Sequence, residues 1–427
     1  MNKIASIFVY ILTISFLSYT IPVLRVGYTG EGGSDYVQMF CVVTIIFLAF
    51  LKSSTTNVQK IPYVVKLSTY LIITSVVISS ILSDEISEIG TIKLITFLIM
   101  TLSIMLLSSY KTCFNSIVIF VFVSVLLTAY GFYGYITGNV GTEASKFWWE
   151  YAKYWGIHYT QSTRNSDVYY PAIALCLIIP YVFTKTTKTI KFVVCLAVAF
   201  FLAAIILSLS RGAWLSLAVV LMAVIYFMSL NKYIGKNAIV CGMLIIAMVG
   251  VYTVKKYGQI DYLVSKVLSI TSLATDESHV SSNRDRLAIA SATIGIITEN
   301  PFGVGYEGLR NHYKNYGLFI NHAENTYLNA FAELGVIGFV GFVVIILKPL
   351  REFYARLRRS FRTYDLSMFL VCLYLAVSYL FNVEYYGVLF WFIYSLIWTN
   401  IMYGENNDRY NFESNKKSST CRTSNQG

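Results

Sequence analysis

Residues Ser208–Leu217 read SLSRGAWLSL, and they lie where one apolar run, Phe192–Leu209, gives way to another, Ala213–Leu230. Neither run alternates polar and apolar faces as a soluble helix does. Each is close to the ~20 residues that carry a helix across a bilayer. Lys191 precedes the pair and Lys232 follows it. The interval between the two lysines holds two spans and one tight turn, so Arg211 falls at the opposite rim. There an arginine costs little, whereas in hydrocarbon it would be strongly unfavourable. Gly212 is expected to help the chain reverse at that rim. A polar turn between two featureless apolar runs implies an all-α polytopic membrane protein.

Composition supports this reading. Of 427 residues, 56% are hydrophobic, 16% aromatic and only 13% charged, against about 25% charge in a typical soluble chain. Twelve runs are expected to span: Ile4–Leu24, Val37–Leu51, Tyr63–Leu82, Thr91–Ser109, Ser116–Ile136, Tyr169–Phe183, Phe192–Ser210, Ala213–Leu230, Asn237–Val254, Tyr327–Leu347, Met368–Phe381 and Tyr385–Tyr403. No Gly/Ser linker divides them, so residues 1–403 are expected to form one integral domain, with the first run retained. The polar tail Gly404–Gly427 is expected to be disordered and cytoplasmic.

Charge sets the orientation. With the N-terminus inside, the inner loops hold Lys52, Lys60, Lys111, Lys185, Lys188, Lys191, Lys232, Lys236 and the cluster Lys348–Arg362, while the short outer loop Ser83–Gly90 is acidic. This is the positive-inside asymmetry. The net charge of +11 is therefore topology and not a nucleic-acid footprint. Both termini are expected in the cytoplasm. Two long segments, Thr137–Val168 and Lys255–Thr326, are expected outside, and they contain all four histidines. No cysteine falls in an outer loop, and no CxxC spacing or convincing ligand cluster points to a metal.

The outer segments carry the polar chemistry. Lys146–Asp167 is aromatic: Trp148 and Trp149 read as an interfacial belt, while Tyr154 and Trp155 are left between belt and a platform for sugar rings. Arg164 follows. Ser281–Pro301 reads as a helix capped by Ser282 or Asn283 and stopped at Asn300-Pro301, with an apolar stripe Leu287, Ala290, Ile294, Ile297 that would lay it on the membrane surface. Arg284 and Arg286 sit near its start, where backbone N–H groups also favour anions. Asn300–Gly308, NPFGVGYEG, has G-x-G-x-x-G spacing without the βαβ context that a dinucleotide site needs, and reads as a Gly-rich turn packed on the membrane domain. Asn321–Phe339 begins a span and sets His322, Glu324 and Asn325 just above the membrane, where an imidazole or a carboxylate can do acid–base work. Asn321 or Asn325 also suits a helix cap.

Arg164, Arg211, Arg284 and Arg286 thus share the outer face, although Lys255–Thr326 has equal numbers of Lys/Arg and Asp/Glu. Discrete arginines over a bilayer suit a lipid-linked phosphate or pyrophosphate held by forked hydrogen bonds. A transporter of lipid-linked sugars would be expected to show internal repeats and charged or broken helices at mid-membrane; the sequence shows no halved symmetry, and its polar chemistry gathers in one long outer loop.

In order, spacing and outer placement, four segments resemble the O-antigen ligase/polymerase superfamily. SRGAWLSL resembles its Arg-Gly helix start, and SSNRDRL…ENPFGVGYEGL its Arg…(N/H)-P-x-x-G-x-G stretch. HAENTYLNAFAELGVIG resembles its following His-Asn-x-x-Leu…Glu-x-Gly-x-x-Gly helix, and STRNSD an Arg-Asn segment of polymerase members. The family's ligases have a His directly before the Asn; here Glu324 stands before Asn325 and His322 lies two residues earlier. The resemblance implies a GT-C-type membrane glycosyltransferase, most like an O-antigen polymerase. Such an enzyme joins undecaprenyl-pyrophosphate-linked repeat units at the periplasmic face of the bacterial inner membrane. It implies partners that are donor and acceptor lipid-linked glycans, membrane lipid and a chain-length regulator protein. In that frame Arg211, Arg284, Glu324 and His322 are the expected catalytic residues. Arg164, Arg286, Asn325, Tyr154 and Trp155 are expected to bind substrate. No cofactor or metal is expected.

Overall fold

The computed structural model describes residues 2–20, 36–52, 61–82, 88–137, 168–184, 187–208, 210–231, 277–318, 320–323, 325–382 and 387–403, and all regular structure among them is helical. The helices are α1 (Asn2–Thr20), α2 (Tyr36–Lys52), α3 (Tyr63–Leu82), α4 (Glu88–Leu107), α5 (Tyr110–Thr137), α6 (Tyr169–Ile178, continued by a 3-10 turn over Ile179–Phe183), α7 (Lys188–Leu207) and α8 (Arg211–Leu230). After them come α9 (Glu277–Glu299), α10 (Leu309–Asn315), α11 (Thr326–Arg359), α12 (Thr363–Ser378) and α13 (Val388–Tyr403). Every expected run overlaps one of these helices except Asn237–Val254, which lies outside the described residues. Among the described residues five helices, α4, α5, α7, α8 and α11, are long and apolar enough to cross a membrane by length and composition. The chain is a membrane protein.

Several helix boundaries differ from the sequence reading. The span expected to end at Leu347 belongs to a helix that runs on to Arg359. The basic cluster ends the hydrocarbon crossing but not the helix, because Lys348 and Glu352 pair at i,i+4 with 2.7 Å between charged atoms. The next helix starts at Thr363 instead of Met368 and stops at Ser378. Cys113, which falls between the expected spans Thr91–Ser109 and Ser116–Ile136, lies in the first turn of α5.

Packing follows small residues. α3 lies along α11, and the contact is close because α11 presents glycine every three residues. A methyl group added at Gly338 would stand 2.7 Å from Ser75 Oγ, and one at Gly341 would stand 2.7 Å from the Ser68 carbonyl oxygen. Inside a membrane, where lipid competes equally for apolar surface, such close approach is what holds helices together. α12 packs against α6, α8 and α11, and α1 against α2 and α5.

The two ends of the bundle are easily told apart. At one end Ser6 of α1 meets Thr112 of α5 at 2.8 Å, and Tyr403 of α13 donates to the Ser108 carbonyl at 2.7 Å. Arg356 of α11 donates to the Ile401 carbonyl at 2.7 Å. The start of α1 and the end of α13 therefore share an end. The start of α11 and the end of α12 lie at the other.

Candidate functional site

Arg211 is the first residue of α8. The turn before it is built by serines: the Ser208 hydroxyl donates to the Ile205 carbonyl at 2.7 Å, and Ser210 caps α8 by accepting from the Ala213 N–H at 3.4 Å. Trp214 closes the hairpin by donating to the Ile205 carbonyl at 3.0 Å. Gly212, expected at the reversal, is already helical. Gly212 serves close approach: a methyl group there would stand 2.7 Å from Phe381 Cβ.

Phe381 belongs to the turn Tyr379–Asn382 that ends α12, and this turn also receives the start of α11. The Thr326 N–H donates to the carbonyls of Tyr379 and Asn382 at 2.9 and 3.0 Å, and the Thr326 hydroxyl to Asn382 at 2.5 Å. Asn325 caps α11, its Oδ1 accepting from Tyr327 and Leu328 N–H, while its Nδ2 donates to the Leu380 carbonyl at 3.1 Å. The α6 start joins through Ser378, whose hydroxyl donates to Tyr169 at 2.9 Å. The end of α12 and the turn after it therefore gather the starts of α6, α8 and α11. Of the expected site residues they bring together Arg211, by helix position, and Asn325, whose amide is engaged in holding the helix start. Tyr154, Trp155, Arg164 and Glu324 lie outside the described residues.

Below this turn α11 is broken. Gly335 has φ 62° and ψ −176°, a conformation open essentially to glycine alone. The backbone groups that the break frees are taken up by residues 301–305. Val304 N–H donates to the Ala332 carbonyl at 3.0 Å, Gly305 N–H to the Glu333 carbonyl at 3.1 Å, and Val336 N–H to the Pro301 carbonyl at 3.0 Å. Ser75 of α3 donates its hydroxyl to the Leu334 carbonyl. Gly303, at φ 93°, fits only because it has no side chain: a methyl group would stand 2.4 Å from the Glu333 carbonyl oxygen. The Gly-rich turn is thus a plug set into a membrane helix, in line with its reading as a turn packed on the membrane domain. Glu307, at φ 61°, ties the plug to α4 through Lys93 at 3.0 Å.

The plug covers a carboxylate that the sequence reading assigned no role. Glu333 is fully buried and lies close enough to two phenols to bear on their ionisation. Burial pushes Tyr306 well above its ordinary value, with Glu333 and then Glu307 adding to the shift. Burial also pushes Tyr313 up to about 12, opposed by the hydrogen bond with Thr293 and reinforced by Glu333. The two hydroxyls of that bond are 2.6 Å apart, which fastens α9 to α10. The signal was available in the sequence: an acidic residue inside an otherwise apolar span marks function by default.

α9 corrects its expected register. It begins at Glu277, ahead of the expected caps Ser282 and Asn283, and ends at Glu299 before Asn300-Pro301, as expected. The buried face is Ile289, Ala292, Thr293 and Ile296, whereas Ile294 is 53% exposed. That face packs on α11 and α10 with Val304, Leu309, Tyr313 and Ala332; protein contact, and not the membrane surface, set the stripe. Arg286 lies at the edge of this face and is half-buried. Arg284 lies in the same helix, two residues earlier. His322 is exposed, and the next residue, Ala323, is pinned by Asn329, whose Oδ1 accepts its N–H at 2.8 Å.

Residues 196–343, from α7 to the middle of α11, match the family model described as O-antigen ligase. No curated protein matches the chain. The matched segment contains the α7–α8 hairpin, α9, the plug and the broken part of α11. It carries the resemblance to the O-antigen ligase/polymerase superfamily, whose members are membrane glycosyltransferase-like enzymes covering both ligases and polymerases.

Proposed function

We propose, from the match of residues 196–343 to the family model described as O-antigen ligase, that the chain is a polymerase that joins undecaprenyl-pyrophosphate-linked oligosaccharide repeats at the periplasmic face of the bacterial inner membrane. The observation that carries this reading is the turn Tyr379–Asn382, on which the Arg211 helix start and the capped start of α11 both pack. In this reading a guanidinium at the rim and a proton acceptor over the membrane belong to one site. The cytoplasmic side is the Lys/Arg-rich end, by the positive-inside rule.

The chemistry is glycosyl transfer of the GT-C type. The acceptor hydroxyl oxygen attacks the anomeric carbon of the donor, the bond to the pyrophosphate oxygen breaks, and undecaprenyl pyrophosphate leaves with the electron pair. Arg211 grips that pyrophosphate, because a planar fork meets two phosphate oxygens and stays charged at any working pH. Arg284 holds it from α9, with Arg164 and Arg286 in weaker contact, and together they stabilise the charge that develops on the leaving group. Glu324, with His322 as the alternative, takes the proton from the acceptor hydroxyl. Tyr154 and Trp155 offer stacking faces to sugar rings. A chain-length regulator is the expected protein partner.

A ligase transferring glycan to lipid A–core is the second reading, favoured by the match to a family model described as O-antigen ligase. Glu324 in the position of the ligase histidine argues for the polymerase. Deletion in the native host, followed by a gel of surface glycan, separates them. A polymerase null leaves lipid A–core carrying a single repeat. Loss of all attached glycan, with polymer stranded on the carrier lipid, overturns the reading in favour of the ligase. Single repeats trapped inside the cell would point to a flippase.

A further inference from the structure

α11 carries a file of polar residues that descends from its start. Asn325, Asn329 and Glu333 are spaced four apart and so stack on one side of the helix. Asn329 and Glu333 are fully buried. A polar side chain in a span is costly enough that it marks a task, and for Asn329 the structure shows one. Its Oδ1 accepts the Ala323 N–H at 2.8 Å, while its own N–H donates to the Asn325 carbonyl at 2.9 Å. Ala323 is itself buried, so its N–H, deprived of that oxygen, would be an unpaired buried donor. In sequence Ala323 stands between His322 and Glu324, the two candidates for the proton acceptor.

We infer that Asn329 is a positioning residue for the proton-accepting step: from inside the bundle its amide oxygen holds the N–H of Ala323, the residue next in sequence to both candidate bases. The inference rests on the transferase reading above. Asn329 takes no proton itself; the proton passes from the acceptor hydroxyl to the side chain at 324 or 322. Asn325 is tied to Leu380 and Ala323 to Asn329, so the described residues on either side of position 324 are both held. Proton transfer depends on hydrogen-bond reach, and a misplacement of about 1 Å can cost on the order of 100-fold in rate.

The test uses the full-length enzyme purified in lipid nanodiscs, with pyrophosphate-linked repeats as donor and acceptor, and compares Asn329→Ala, Asn329→Leu and Asn329→Asp. An aspartyl oxygen can still accept the Ala323 N–H, protonated or not, whereas leucine fills the space without an acceptor. The expected result is a kcat lowered roughly 10- to 100-fold in Asn329→Ala and Asn329→Leu, an unchanged KM for donor, and recovery of most of the rate in Asn329→Asp. Recovery in Asn329→Leu and not in Asn329→Asp would make Asn329 a packing residue and overturn the inference. Wild-type kcat in Asn329→Ala would overturn it as well. If Asn329→Ala fails to reach the membrane, the Leu–Asp comparison still decides. A wild-type enzyme that does not elongate the repeats would sink the transferase reading itself, a different outcome from any variant result.

Discussion

The two ends of the helix bundle use polar residues in opposite ways. At the end that holds the start of α1 and the end of α13, polar groups close the structure. Arg356 is buried, donates to the last carbonyls of α13 and lies over the Phe353 ring at 5.5 Å. Tyr364 donates to Asn400, and the Asn400 amide donates to the Cys113 sulfur at 3.0 Å. The cation there is spent on helix-terminal carbonyls, which favour positive charge. At the opposite end polar groups hold the chain in shapes that a regular bundle would not adopt: a helix broken at Gly335, a plug with two left-handed glycines, Gly303 and Gly305, and a buried carboxylate beneath it. Strain of this kind persists where the surroundings over-determine it and clusters at functional sites. The regular end reads as scaffold, the irregular end as the place where chemistry occurs.

Substitutions at the irregular end should change activity, and those at the regular end should change stability alone. The largest effect is expected at Glu324. Glu324→Gln should abolish polymer while leaving membrane protein level unchanged, as read from a glycan gel and an immunoblot of the same cells. Normal polymer in Glu324→Gln together with loss in His322→Ala would move the base to His322. Next comes Gly335→Ala. It forces a side chain into a glycine-only conformation and sets Cβ 2.2 Å from the Phe302 carbonyl carbon. A cost of about 2–5 kcal/mol is expected from strain and overpacking together, seen as a lower melting temperature in detergent and as lost elongation.

Arg356→Ala sharpens the contrast from the other end. It leaves the last α13 carbonyls without their donor, which should cost about 1–3 kcal/mol, yet the surviving folded enzyme should elongate at the wild-type rate. A kcat defect there would erase the division between the ends. The smallest effect is expected at the Lys93–Glu307 pair, whose side chains are 34% and 30% exposed. Lys93→Ala should cost no more than ~1 kcal/mol, and the charge swap Lys93→Glu with Glu307→Lys should recover whatever is lost.

Much of this division could be read in the sequence. The apolar runs found the helices, because a span must be apolar over its whole length and polar residues then mark its ends. The same rule placed Arg211 at a helix start, and the Gly-x-Gly spacing found the plug. What escaped was set by contacts distant in sequence. The phase of α9 depends on α10 and α11, which bury Thr293 and leave Ile294 exposed, the reverse of what hydrophobicity alone suggests. The helical continuation through Pro349 to Arg359 was hidden because charge was taken as the end of the helix. Asn329 and Glu333 were passed over inside a run that is otherwise apolar, although their spacing with Asn325 was in view. Glu324, Arg164, Tyr154 and Trp155 lie outside the described residues.

The central claim is that the outer rim grips a pyrophosphate, and Arg211 tests it most directly. Lysine at position 211 keeps the charge and can still reach the interface as arginine does, but it cannot make the two-pronged contact. Arg211→Lys should insert at the wild-type level and elongate lipid-linked repeats more slowly by a factor on the order of 10 to 100, the equivalent of one lost charge-assisted bond of ~1.5–3 kcal/mol. Near-normal chain length and rate in Arg211→Lys, at equal protein level, would show that Arg211 only anchors a helix end and would contradict the account.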